Sequence, residues 1–216
     1  MKEKLSEILS GPKMGRRIAM TVLGVMLTGV VVGLFKVSRM GVDPFQVLCA
    51  GLDHVIPIPF GTLYALVNFV LLVGMFFADR HYIGLGTVIN MLFLGYVAQY
   101  AQTFFQFLFP NPSFPARLLM LLVAIPMLCL AGSLYITSDL GVSTYDVWAL
   151  TLERRTRFPF RLLRVGTDLL CVGVGFALLG FAPAGMIGLG TIVTAFFTGP
   201  LIDFFNRKVS RPLLER

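Results

Sequence analysis

The chain has 216 residues, 56% hydrophobic and only 13% charged, with a mean hydropathy of +0.83. Soluble domains are roughly a quarter charged, so this composition excludes disorder, a coiled coil, a nucleic-acid arm and most soluble enzymes, and points to a polytopic membrane protein. The net charge of +7 does not restore nucleic acid as a partner, because the basic residues lie between apolar runs, where they act as topology signals.

Residues 1–16 are basic, and their first part alternates charge with Leu5, Ile8 and Leu9, which predicts a cytoplasmic segment with a short interfacial helix. The first apolar run, 18–35, is longer than the ~7–15 residues of a secretory signal core and lacks a small-x-small cleavage site, so it reads as an uncleaved span. Further spans are expected at 62–77, 83–107, 118–137, 165–181 and 186–205, each near the ~20 residues that ~30 Å of hydrocarbon requires. The span at 83–107 carries Asn90, Gln99, Gln102 and Gln106, so one of its sides must face protein or water.

Two apolar segments are too short to span, 42–58 and 142–153. Asp43 followed by Pro44 forms a helix start in the first, and Ser143 or Thr144 offers the N-cap of the second. Both read as half-helices that enter the membrane or lie on it. Irregular backbone at that depth is tolerated only when buried in protein or lining a cavity.

The chain is internally duplicated. Ile83-Gly84-Leu85-Gly86-Thr87 recurs as Ile187-Gly188-Leu189-Gly190-Thr191, and Leu34, Ser38, Gly41, Val42, Val47 and Pro59-Phe60 recur one hundred residues on. Repeat 1 is therefore 17–108 and repeat 2 is 117–208, joined by a linker at 109–116, with a basic tail at 209–216. Three spans per copy would invert the second copy; four would leave the copies parallel. With the N-terminus inside, all of the 18 Lys and Arg except Lys36, Arg39 and Arg117 fall inside under either model. Equivalent loops separate the two: 41–60 has no Lys or Arg while 141–164 has Arg154, Arg155, Arg157, Arg161 and Arg164, and Arg80 in the turn at 78–82 has no counterpart at 181–185. Inversion places the basic member of each pair inside. Lys36 and Arg39 run against this trend. The expected fold is an all-α membrane protein of about six spans and two half-helices, in two inverted repeats.

The string G-V-D-P-F-Q-V-L at 41–48, F-G-T at 60–62 and G-L-G-T-V-I-N at 84–90 together resemble the bacterial YczE/YitT-type membrane proteins. The resemblance covers nearly the whole chain, which departs from the pattern in having Phe45-Gln46 where Trp-Asp is common. It implies a small bacterial inner-membrane protein and no settled activity.

Polar residues inside apolar segments carry the functional expectations. Asp168 in the fifth span is a candidate cation or proton site, or alternatively an i, i+4 partner of Arg164; its repeat equivalent is Asn68. Gln46 pairs with Asp146, and Asp43 with Ser143, at the starts of the half-helices, where free N–H groups and the helix dipole would favour a substrate carboxylate or phosphate. Asp43 could instead cap its own helix. Asn90 pairs with Thr194, and Gln99 with Asp203. Gly84, Gly86, Thr87, Gly188, Gly190 and Thr191 lack the lysine and preceding strand of a phosphate loop, and serve either close packing or helix breaks near the site. Gly29-x-x-x-Gly33 is a dimer face or a close crossing within the bundle.

Cys49, Cys129 and Cys171 form no C-x-x-C pair, and His54 and His81 lie far apart, so neither a cofactor nor a metal site is expected. No catalytic constellation is recognisable, so the chain is not expected to be an enzyme. The leading expectation is a permease for a small molecule or ion in the bacterial cytoplasmic membrane, both termini inside, the lipid bilayer and a homodimeric copy as its partners. The alternative is a non-transporting helper that docks partners through the arginines at 154–164.

Overall fold

Helix α1 (Met14–Ser38) is the spine of the bundle, 25 residues and so about 37 Å at 1.5 Å per residue. It is followed by the half-helix α2 (Pro44–Val55), α3 (Phe60–Ala78) and α4 (Leu85–Leu108) in the first copy, and by α5 (Phe114–Ser138), the half-helix α6 (Asp146–Arg155), α7 (Phe160–Leu178) and α8 (Leu189–Phe205) in the second. A π-helical turn (Asn206–Ser210) and a last turn α9 (Arg211–Glu215) complete the chain. The computed structural model describes residues 13–78, 83–141, 143–158, 160–181 and 185–215, and these contain no strand. The interfacial helix expected within 1–12, the turn around Arg80 and His81, Val142 and Pro159 lie outside the described residues.

Among the described residues, four helices are long and apolar enough to cross a membrane: Met14–Ser38, Phe60–Phe77, Phe114–Ser138 and Leu189–Glu215. The sequence reading counts six. The other two, α4 and α7, have 24 and 19 residues and are long enough. Their polarity sets them apart, with Asn90 and three glutamines on α4, and Arg161, Arg164 and Asp168 on α7.

The half-helices start differently. Asp43 accepts the Gln46 backbone N–H at 3.2 Å with Pro44 in the first turn, the N-cap expected from the sequence. The second start departs from expectation. Helix α6 begins only at Asp146, with no side-chain cap from Tyr145 before it. The Thr144 hydroxyl donates to Asn68 Oδ1 instead, and Ser143 contributes its carbonyl to the Val147 N–H.

The copies are tied together at matching points. Helices α1 and α5 both end in a left-handed residue, Arg39 and Asp139, each at φ 52°, and the loops continue through Gly41 (φ +105°) and Gly141 (φ +120°). Each loop lies against the G-L-G-T helix start of the other copy. Gly86 N–H donates to the Leu140 carbonyl at 2.7 Å, and Gly190 N–H donates to the Met40 carbonyl at 2.8 Å. Gly41 and Val42 N–H donate to the carbonyls of Gly185 and Met186. The glycines permit this approach: a Cβ on Gly190 would stand 2.5 Å from the Gly41 oxygen, and one on Gly84 would overlap the Leu140 carbonyl. Thr87 and Thr191 complete the motif by accepting the N–H of Gly84 and Gly188, each at 3.3 Å.

Glycines also seat the other crossings. A Cβ on Gly33 would lie 2.6 Å from the Gln102 nitrogen, so Gly29-x-x-x-Gly33 serves the α1–α4 crossing inside the bundle. Gly51 and Gly175 bring α2 onto α7 in the same way. The core between these helices includes Val25, Val32, Phe45, Cys49, Tyr64 and Tyr145, and the three cysteines are free and buried.

If the loop-to-helix contacts set the fold, Gly190→Val lowers the melting temperature of the purified protein and costs about 1–3 kcal/mol. Gly173→Ala, at a helical position with nothing within 4 Å, leaves it unchanged or raises it slightly. Calorimetry in detergent checks this pair, and equal melting of the two variants would contradict the packing role.

Candidate functional site

The two half-helices start beside one cavity of about 610 Å³. Helix α2 brings Asp43, Phe45 and Gln46 to its wall; the start of α6 brings Tyr145 and Asp146; α7 brings Arg164 and Asp168. Tyr64 of α3, Asn90 of α4 and Thr194 of α8 close the polar part. The cavity continues between α5 and α8 along Leu128, Gly132, Ile136, Thr198 and Ile202 to the exposed carboxylates of Asp139 and Asp203, which mark its mouth.

Arg164 is the hub. Its guanidinium pairs with Asp146, reaches Asp168 at 3.3 Å and lies 4.5 Å over the Tyr145 ring. Tyr145 donates its hydroxyl to Asp168 at 2.6 Å. Phe45 stacks on Tyr145 with ring centres 4.8 Å apart and meets Tyr64 edge-on at 5.8 Å. Asn68 stands fully buried beside this group, donating to the Tyr64 carbonyl at 2.8 Å and accepting from Thr144 at 2.5 Å. Asp168 therefore does make the i, i+4 pair with Arg164, and that pair itself faces the cavity.

Six of the expected site residues, Asp43, Gln46, Asn90, Asp146, Asp168 and Thr194, line this cavity, and Asn68 braces it. Thr194 turns its hydroxyl back to the Gly190 carbonyl at 2.8 Å. The glycines and threonines of the two G-L-G-T motifs hold the loop crossings described above. Gln99 accepts the Gly61 N–H at 2.9 Å and so ties α4 to α3, while Asp203 pairs with Arg207 at 2.8 Å.

Sequence reasoning passed over Phe45, Tyr64 and Tyr145 as site residues, and took Arg164 as the alternative i, i+4 partner of Asp168 that it proves to be. The signal was available in the repeat. The spacing that pairs Gln46 with Asp146 and Asn68 with Asp168 also pairs Phe45 with Tyr145 and Tyr64 with Arg164. The first copy thus supplies Phe, Gln, Tyr and Asn, and the second supplies Tyr, Asp, Arg and Asp at the same positions. Every charge on these four positions belongs to the second copy.

A second hollow, about 700 Å³, lies at the opposite end of α1 among Lys36, Arg39, Arg117, Gln102 and Gln106. It gathers the three basic residues that fall outside the topology trend. Lys36 is buried there, its ammonium 3.0 Å from the centre of the Phe60 ring.

Four apolar helices and large side chains turned outward, such as Phe77, Phe107 and Leu170, make this a helical chain suited to a membrane. The chain belongs to a family of unknown function (DUF6198), whose model matches residues 15–207. It is 26% identical over 201 residues to an uncharacterized protein of Haemophilus influenzae, an overlap of 91% of this chain and 86% of that protein. No solved structure matches it.

Removing Arg164 leaves Asp146 and Asp168 facing the same space without their cation. Arg164→Ala is expected to destabilise the protein by about 3 kcal/mol, and Arg164→Ala combined with Asp168→Asn to recover part of the loss. Equilibrium unfolding of the single and double variants measures the coupling. Strict additivity would show that the pair carries no stability of its own.

Proposed function

We propose that this protein is a permease for a small solute, working through the cavity shared by its two copies. The observation that supports it is the convergence of repeat-related polar side chains, drawn from both half-helices and from α3 and α7, on one cavity. Half-helices that start at a polar cavity between two copies are the usual build of a transport site.

In this reading the chain crosses the membrane six times. Helix α4 turns Asn90 inward, α7 turns Arg164 and Asp168 inward, and the second copy is inverted relative to the first. Both termini lie in the cytoplasm of a bacterial cell, as the loop charges favour. The chain then carries solute and performs no chemistry on it.

The two copies are unequal in a way that suits alternating access. In the first copy Gly95 of α4 is packed against α3, since a Cβ there would lie 2.6 Å from Tyr64 Cβ. Its repeat equivalent, Gly199 of α8, has nothing within 4 Å and lines the cavity. One copy is closed where the other is open, and exchange of the two arrangements would move the mouth across the membrane. The docking alternative loses one of its five arginines, because Arg164 is turned into the cavity and held there by two carboxylates.

Inversion is tested by cysteine labelling in intact cells, with the three native cysteines replaced by alanine. His54→Cys should react with a membrane-impermeant maleimide from outside, and Thr156→Cys only after permeabilisation. The same response from both positions overturns the inverted arrangement. Transport is tested by solute flux into proteoliposomes across a metabolite panel, where Asp168→Asn should cut the flux at least tenfold. Flux of no solute by the wild type would overturn the permease reading.

A further inference from the structure

Building on the permease reading above, we infer that the cavity takes a small organic cation, an ammonium group carried on an apolar body. At its polar end the carboxylates of Asp43, Asp146 and Asp168 face a single basic residue, Arg164. That leaves two negative charges in excess. Two half-helix starts, each worth about half a positive charge, offset one of them. A single monovalent cation then completes the site.

The features that would attract an anion are already used. The Arg164 guanidinium is engaged by Asp146 and Asp168. The Gln46 N–H in the first turn of α2 is taken by the Asp43 carboxylate at 3.2 Å, and α6 carries Asp146 in its own first turn. A substrate carboxylate or phosphate would have to displace these groups and then sit among their charges.

Gln46 is the independent pointer. It is 3% exposed, it lines the cavity, and its Oε1 has no hydrogen-bond donor among the described residues. A buried acceptor left unsatisfied costs about 1–3 kcal/mol. An ammonium N–H seated between Gln46 and the carboxylates satisfies it.

The rest of the wall selects an organic ion over a bare one. Rings of Phe45, Tyr64 and Tyr145 flank the polar end, and Val32, Leu94 and Leu128 extend it as an apolar surface. Aromatic faces attract a cation. A volume of about 610 Å³ falls within the roughly 300–1,000 Å³ of small-molecule sites and is far larger than one ion needs.

The test is calorimetric titration of the full-length protein in nanodiscs with three probes that share a phenylethyl body: 2-phenylethylammonium, 2-phenylethanol and 3-phenylpropanoate. The ammonium is expected to bind saturably, with the alcohol and the carboxylate at least tenfold weaker. Gln46→Leu and Asp168→Asn should each weaken the ammonium roughly tenfold or more. Should Asp168→Asn fail to melt cooperatively, Gln46→Leu decides alone.

Equal or tighter binding of the alcohol or the carboxylate overturns the inference. So does absence of binding of all three probes to cooperatively folded protein, or an unchanged ammonium affinity in Gln46→Leu. Ammonium binding without flux in proteoliposomes supports the ligand class and overturns the permease. Flux of an anion or neutral solute without ammonium binding overturns the ligand class and leaves the permease standing.

Discussion

Everything in this structure depends on how the backbone is satisfied where α1 and α5 end. A chain that stops a helix in an apolar setting leaves carbonyls and N–H groups without partners, and hydrocarbon supplies none. Here each helix end is answered by the other copy. The Met40 and Leu140 carbonyls accept N–H groups from the starts of α8 and α4, and Gly41 and Val42 donate back to the segment before α8. The glycines of G-L-G-T bring the strand-like loop and the helix start within hydrogen-bond reach, and the threonines cap the helices that result. Neither copy could hold its own half-helix in place without the other.

That exchange explains where the polar site lies. Because the first loop is pinned at Met40, Gly41 and Val42 and the second at Leu140, the half-helices that follow start beside α7, and their first residues meet there. The charges are then arranged by economy of burial. Arg164 serves two carboxylates and an aromatic face at once, and Tyr145 supplies Asp168 with a further donor. A buried carboxylate with one partner is expensive; with an arginine, a hydroxyl and a half-open cavity it is stable.

Much of this was legible in the sequence, for physical reasons that differ by residue. The Asp43-Pro44 start was readable because capping is local chemistry. Asn68, Asp146 and Asp168 were readable because polar groups in apolar runs are costly and must be housed. Arg164 was readable as an i, i+4 partner of Asp168, but its place in the cavity wall was not, since an arginine in a run with Arg154, Arg155, Arg157 and Arg161 looks like a topology signal. Tyr145 and Phe45 looked like ordinary apolar filling. The cap expected from Ser143 or Thr144 failed because Thr144 found a buried amide on α3, a partner distant in sequence. Two of the six expected spans fall short of the apolar criterion because their polar side chains are the ones that α4 and α7 carry.

The division of labour between the copies follows from the same constraint. Had the first copy kept the charges of the second, the small shared volume would hold two arginines and four aspartates at these positions, all needing solvation that a cavity of about 610 Å³ cannot provide at the cost buried charges demand. The neutral residues Phe45, Gln46, Tyr64 and Asn68 avoid that conflict. They also leave one acceptor, Gln46 Oε1, without a donor among the described residues. A duplicated fold in which one copy holds the arginine and two of the three carboxylates, and the other holds an unmet hydrogen bond beside them, is asymmetric in its chemistry. This mismatch gives the cavity unlike regions: a charged end toward α7, and a more apolar stretch between α5 and α8 that leads to the Asp139 and Asp203 carboxylates.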